Sequence, residues 1–277
     1  MGRKTLKDLY VKWAKEEEFL LPEGFEVDFG LNSMDREMLS KEEREEKLQQ
    51  GKVEEIVPHF AYNSDKLLTC EILKVHDIPH VECIKLSDNQ EDATREVIEL
   101  FHKKNAEIVV RGRQGTCGLK TFFPKREVSL PMMISTLMHD PKRPTTPIVS
   151  PRYYAQHEYG VYVVGDKVEL VVKKELNPIT NTHNLSTGSS ATEETDIEKV
   201  KEIQLLASKI ASVFGLGFAR IDIMDTTEGL KVLELSIPNY KKFALQNDTC
   251  EAAGKRLFIA AYTYSLKTNE NPDLIKE

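Results

Sequence analysis

No stretch of about 18 consecutive apolar residues occurs in this 277-residue chain, so nothing in it reads as a membrane span. The start, Met1-Gly2-Arg3-Lys4, leads straight into a charged helix with no apolar signal segment, and Leu6 stands where a myristoylation signal carries Ser or Thr. Cysteine is scarce. Cys70, Cys83, Cys117 and Cys250 show no C-x-x-C spacing and read as reduced cytosolic thiols, not staples or zinc ligands. The seven histidines are too scattered to suggest a metal cluster. A basic excess is also missing. The net charge of −7 argues against a nucleic-acid partner but leaves phosphate ligands open, because a local group of Lys and Arg can invert the sign. The P-loop pattern G-x-x-x-x-G-K-[ST] is absent. What remains is a chain expected in the cytoplasm, without a membrane attachment, long enough to bury a full core as one large domain or two sub-domains.

The most informative stretch is 217–239, GFARIDIMDTTEGLKVLELSIPN. Phe218, Arg220, Asp222 and Met224 alternate with Ala219, Ile221 and Ile223, the period of a half-buried strand. Thr226-Thr227-Glu228-Gly229 supplies a turn, and Leu230, Val232 and Leu233 lead a second strand into Glu234-Leu235-Ser236. Asp222 and Glu234 therefore stand on adjacent strands among aliphatic neighbours. Two readings are open. Carboxylates facing one spot suit a hard cation such as Mg²⁺, which takes one or two carboxylates plus nucleotide phosphates; equally, a solvated hairpin can point both acids into water.

Along the chain, Thr5 to Phe19 reads as an amphipathic helix with Leu6, Leu9, Tyr10, Trp13 and Ala14 on one face. Ser40 and Glu43 form a capping box for a polar helix closed by Gly51. Ser64 is expected to cap a helix over 65–75, followed by a strand at 81–86, a helix at 92–104 and a strand at 107–111. Gly112-Arg-Gln-Gly115-Thr-Cys-Gly118 then leads into a strand at 119–123. Strand, glycine loop, strand is the format of a phosphate-covering flap, and also of an ordinary hairpin. Residues 128–140 read as helix, the Pro-rich 141–151 as a connector, and 158–164 with 167–175 as a hairpin turning at Gly165-Asp166. Residues 176–194, rich in Asn, Thr, Ser and Gly, read as a mobile loop, 196–214 as a long helix, and 251–266 as the last one.

Four pieces in this order and spacing resemble an ATP-grasp ligase core, closest to the RimK-like group of glutamate and amino-acid ligases. They are N-S-D-K-L-L-T-C-E-I-L-K at 63–74, I-V-V-R with its glycine loop at 108–118, V-Y-V-V-G-D-K-V at 161–168, and F-A-R-I-D-I-M with V-L-E-L-S at 218–236. The resemblance implies an α+β fold in which two sub-domains clamp a nucleotide: 63–150 with the glycine flap and 151–277 with the metal site, preceded by an accessory helical segment at 1–62. It implies Lys66 and Arg111 as phosphate-binding cations, with Gly112, Gly115, Thr116 and Gly118 covering the phosphates and Tyr153 and Tyr154 in the adenine hinge. Asp222 and Glu234 match metal ligands, and Ser236 stands where Asn is usual. Asn184 belongs to the closing loop, with Lys174 near the transferring phosphate.

The implied activity is ATP-dependent carboxylate–amine ligation through an acyl-phosphate, with Mg²⁺ or Mn²⁺, on an amino acid, peptide or protein. Arg220 either holds the acyl-phosphate or is a structural partner of Asp222, and Cys117 is read as a packing residue. Three departures stand out: Ser150-Pro-Arg-Tyr-Tyr replaces an acidic hinge, Gly160 stands where many members have Arg, and Thr182-His183 replaces a basic residue before Asn184. The usual preceding sub-domain is also unrecognised. Its share of substrate binding is expected to fall to the two N-terminal helices or to a second subunit, and those helices are the expected surface for a homo-oligomer or a protein partner. The competing class is a nucleotide-binding homologue that no longer ligates.

Overall fold

Strand periodicity and helix caps resolve the chain into two antiparallel sheets, each backed by helices. The computed structural model describes residues 6–18, 40, 43, 46–47, 49–52, 65–114, 120–179, 182–185, 188–236 and 240–270. Helix α1 (Leu6–Glu16) comes first. Ser40 and Glu43 form the expected reciprocal box, Ser40 N donating to Glu43 Oε2 at 2.7 Å and Glu43 N to Ser40 Oγ at 3.1 Å. Helix α2 (Lys66–Val75) is capped by Asp65, whose carboxylate accepts from Leu68 N. Ser64, the expected cap, lies outside the described residues.

The first sheet has the order β1-β4-β2-β3, with β1 (Ile84–Lys85), β2 (Ile108–Gly112), β3 (Thr121–Phe122) and β4 (Pro147–Pro151). Helices α3 (Gln90–Lys103) and α4 (Leu130–Met138) cover it. Val97, Phe101, Ile134 and Leu137 meet Ile108, Val110 and Val149 in its core. The expectation of a connector over 141–151 is corrected here, because its second half is an inner strand paired on both sides. Proline is tolerated because Pro147 and Pro151 stand at the strand ends, while Ile148, Val149 and Ser150 are buried between them.

The second sheet, β7-β6-β5-β8-β9, contains β5 (Ala155–Val164), β6 (Lys167–Lys174), β7 (Ala191–Glu193), β8 (Phe218–Thr226) and β9 (Gly229–Ser236). Alternation sorts its side chains onto two faces. Tyr159, Val161, Val163, Ala219, Ile221 and Ile223 pack against α2 and helix α5 (Ile197–Phe214). Tyr162, Val164, Leu170, Val172 and Phe218 pack against α1, α6 (Lys241–Ala244) and α7 (Asp248–Glu270).

The N-terminal helix is thus part of this core. Tyr10 stacks on Phe258 at 4.9 Å, and Trp13 is 1 % exposed. Lys12 reaches Glu251 at 2.6 Å, and Lys255 reaches Glu16 at 2.8 Å. A Cβ at Gly254 would stand 2.9 Å from Ala244 Cβ and 3.3 Å from Trp13, so glycine is what lets α7 approach both α6 and α1 here. The apolar stripe Leu9, Tyr10, Trp13 and Ala14 is consumed inside the chain. The stretch read as a loop over 176–194 ends in β7, paired with β6 from Val172↔Glu193 to Lys174↔Ala191.

Candidate active site

The register of β8 against β9 places Asp222 directly across from Glu234, and Arg220 across from Ser236. A bulge follows at once, since Ile223 pairs with Val232 and Leu233 is the extra residue. This is why Val232 and Leu235 both reach the apolar core while Glu234 stays on the face of Asp222. On the other side of β8, Gly160 of β5 is the partner of Asp222, and Glu158 of β5 is the partner of Lys174 on β6.

Onto this patch the fold brings three cations. Lys174 Nζ is 2.7 Å from Asp222 Oδ1 and is also paired with Glu158. Arg220 Nη2 is 2.7 Å from Asp222 Oδ2 and 4.0 Å from Glu234. Lys66, in the first turn of α2, lies 3.3 Å from Glu234. The segment after α2 runs beside β9, with Val81 N donating to Val232 O and Val232 N to Pro79 O, and this brings the helix to the sheet edge. Three carboxylates and three cations balance formally, and all are at least largely buried. Burial opposes the charge on Lys174, but Asp222 and then Glu158 outweigh it and raise its pKa. Burial likewise pushes the Asp222 carboxyl up, and Arg220 and then Lys174 more than offset that and hold it below its ordinary value.

Gly160 explains how Lys174 gets there. A Cβ at Gly160 would lie 3.3 Å from Lys174 Cε, 3.6 Å from Arg220 Cδ and 3.7 Å from Asp222 Oδ1, so the bare backbone is the floor over which both long side chains lie. Two buried polar atoms of the patch, Ser236 Oγ and Arg220 Nε, have no hydrogen-bond partner among the described residues. Those are the atoms that a ligand would satisfy.

The other expected residues fall nearby or elsewhere. Arg111 on β2 is 5 % exposed, with its guanidinium 3.1 Å from Ser150 Oγ and 3.3 Å from Cys83 Sγ. Gly112 is required by packing, since a Cβ would meet Thr145 Cγ2 at 2.5 Å. Gly115, Thr116 and Gly118, with Cys117, lie outside the described residues. Lys231 sits 4.9 Å over the ring of Tyr153, whereas Tyr154 is 60 % exposed and donates its hydroxyl to Glu107. Asn184 accepts from Ser189 N at 3.3 Å through its backbone carbonyl. Its neighbour His183 places Nδ1 3.0 Å from Lys174 O, tying this loop to the end of β6.

Two contributors escaped the sequence reading. Glu158 reads in the sequence as a plain strand residue, although its alternation with Gly160 and Tyr162 puts it on the site face. Arg113, inside the glycine loop, forms a buried fork on Asp65 with contacts at 2.8–3.0 Å and anchors the start of α2; only its spacing from the Arg111 strand could have signalled that. Among the described residues no group of three or more His, Cys, Asp or Glu could hold a metal ion, and no helix is long and apolar enough to cross a membrane.

Residues 63–255 match the RimK-like ATP-grasp domain. The chain belongs to that family. Members of this RimK-like ATP-grasp family use ATP together with divalent metal ions. The tetrahydromethanopterin:α-L-glutamate ligase of Methanococcus maripaludis is 26% identical over 181 residues, 62% of this chain and 56% of that protein. This RimK-like chain therefore spans little more than half of that curated relative. Solved structures share its ATP-grasp fold at low identity. The D-alanine–D-alanine ligase of Coxiella burnetii superposes with a TM-score of 0.56 at 19% identity, over 78% of this chain and 60% of that one. That of Bacillus anthracis gives 0.54 at 17% identity, over 98% and 97%.

Proposed function

We propose that the chain is an ATP-dependent carboxylate–amine ligase that activates a carboxylate as an acyl-phosphate and transfers it to the amine of an amino acid, peptide or protein. The observation that carries this reading is the convergence of Lys66, Lys174 and Arg220 on the cross-strand pair Asp222 and Glu234. Phosphoryl transfer asks a protein for positioning and charge neutralisation, with little covalent chemistry of its own. Lys66 and Arg111 bind the nucleotide phosphates under the loop of Gly112, Gly115, Thr116 and Gly118. Tyr153 and Tyr154 flank the nucleobase, and Asn184 closes over the reacting groups. Lys174 and Arg220 hold the transferring phosphoryl oxygens and the acyl-phosphate.

Asp222, Glu234 and Ser236 would hold Mg²⁺ or Mn²⁺, which supplies charge neutralisation at the phosphates when bound. Two carboxylates facing each other across the strands and an orphaned neutral hydroxyl are a donor set that fits such a hard cation. One feature favours the second reading, a homologue that binds nucleotide without ligating: both oxygens of Asp222 are already taken by Lys174 and Arg220. A metal must displace one of them.

The named relative makes α-L-glutamate the first amine to try, with other amino acids and peptides after it. ADP and phosphate release, with mass gain on the acceptor, tests the proposal across carboxylate and amine pools. ATP binding without turnover in any pool, with turnover appearing in Ser236→Asn, would establish the non-ligating reading instead.

A further inference from the structure

Cys83, between α2 and β1, is half-buried and sits among three different elements. Arg111 of β2 places Nη2 3.3 Å from its sulfur, and Ser150 of β4 places Oγ 3.9 Å from it. Cys70 of α2 accepts from the backbone N–H of Cys83 at 3.2 Å, so two free thiols adjoin beneath one guanidinium. The ligase reading uses Arg111 for the phosphates but gives neither Cys83 nor Cys70 a role.

We propose that Cys83 is a covalent modification site for hydroperoxides, with Cys70 as its resolving thiol, so that the pair closes to a Cys70–Cys83 disulfide. The Cys83 thiolate attacks one oxygen of the hydroperoxide. An S–O bond forms, the O–O bond breaks, and the departing alkoxide or hydroxide takes a proton from water. Cys70 then attacks the sulfenic sulfur: an S–S bond forms, the S–O bond breaks, and hydroxide leaves with the Cys70 proton as water. Two thiols and one hydroperoxide thus give one disulfide, one alcohol and one water, with two electrons passing from sulfur to oxygen.

The surroundings suit both roles. A hydrogen bond from Cys70, followed by the charge of Arg111 and bonds from Arg111 and Ser150, lowers the Cys83 thiol to about 5 against the opposing effect of burial. The same shared hydrogen bond is the main cause that pushes Cys70 up, with burial next and Glu71 adding to it. Oxidation of Cys83 removes the thiolate that Cys70 was donating to, and so releases the resolving thiol when it is needed. The Tyr153 phenol, itself raised chiefly by burial and then by Glu82, also faces the pair.

The test is pulsed alkylation of the reduced full chain with iodoacetamide, followed by peptide mass analysis. Cys83 is expected to alkylate with a midpoint near pH 5, where an ordinary thiol shows about 8.5. At pH 6 the rate should exceed that of an unperturbed free thiol by roughly ten-fold, after allowing for the lower nucleophilicity of a more acidic thiol. Arg111→Met should move the midpoint upward, while Arg111→Lys should keep it low. Hydrogen peroxide should yield a Cys70–Cys83 cross-linked peptide in wild type. In Cys70→Ser it should yield a dimedone-trapped sulfenic acid at Cys83, and in Cys83→Ser neither product. A wild-type midpoint at or above pH 8, or peroxide treatment that leaves both thiols free, would overturn the proposal whatever the variants do.

Discussion

Replacing Asp222 by Asn preserves the shape of the side chain and removes the charge that answers both Lys174 and Arg220. Lys174 keeps Glu158, but Arg220 is left with Glu234 at 4.0 Å. Breaking a buried ion pair from one side costs about 3–5 kcal/mol, because a desolvated charge is left behind. The remaining partners place this case near about 3 kcal/mol. In a domain of this size each kcal/mol moves the melting temperature by roughly 2–4 °C, so a fall of about 6–12 °C is expected. Glu234→Gln removes a more accessible carboxylate, 19% exposed, whose nearest cation is Lys66 at 3.3 Å. Its cost should stay near about 1 kcal/mol, or roughly 2–4 °C.

Both substitutions should abolish ligation, so melting separates what activity cannot. The pH dependence carries the same sign test. Asp222 is held below its ordinary value in the fold, so its contribution is complete above the unfolded pKa of about 4 and is lost as pH falls through the depressed folded value. The gap between wild type and Asp222→Asn should therefore be widest near neutrality and close in the acid range. Thermal melts of the two variants within about 2 °C of each other at pH 7 would refute the assignment of Asp222 as the electrostatic centre of the patch.

Millimolar Mg²⁺ and ATP together should raise the melting temperature, by about 2.7 kcal/mol of mass action at roughly 100 times the dissociation constant; a curve that ignores both would count against nucleotide binding. Gly160→Ala should be nearly silent in melting, because the added Cβ meets the flexible end of Lys174 at 3.3 Å, whereas Gly160→Val should displace that lysine and lower turnover while the fold persists, as read by circular dichroism. Trp13→Ala should cost about 3–5 kcal/mol by emptying its place between α1 and α7, and denaturant titration measures it; a change under about 1 kcal/mol would mean that the N-terminal helix is not integral to the core.

The hairpin of β8 and β9 was legible in the sequence because alternation and a Gly turn are local signals, and both survive intact in the fold. Helix α5 was legible for the same reason, with Asp196 at its start and Gly215 in the left-handed region at its end. Strand β4 was not, since Pro147 and Pro151 signal a break and only the pairing with β1 and β2 on either side overrides them. Nor could local pattern show that α1 belongs to the core beneath β5 and β6, because its partners Phe258 and Glu251 lie at the other end of the chain. The metal reading of Asp222 and Glu234 rested on where two acids fall. Arg220 on β8 was legible from its alternation with Asp222, whereas local pattern could not display that Lys66 and Lys174 arrive from α2 and β6 to pair with Glu234 and Asp222 themselves.

That arrangement bears on the departures from the family pattern. Gly160 and Ser236 both look like losses when read singly, a cation and an amide ligand replaced by something smaller. In the sheet they stand on either side of β8, Gly160 opposite Asp222 and Ser236 opposite Arg220. The room left by the glycine is crossed by the stem of Lys174, so positive charge reaches Asp222 from the next strand. The serine hydroxyl and Arg220 Nε, on paired residues, are buried without a hydrogen-bond partner among the described residues. A structural ion-pair cluster with no ligand to bind gains nothing from two orphaned polar atoms, each of which costs about 1–3 kcal/mol when desolvated. A site that meets phosphate oxygens and a cation does gain from them, because a donor and an acceptor are in place before the ligand arrives.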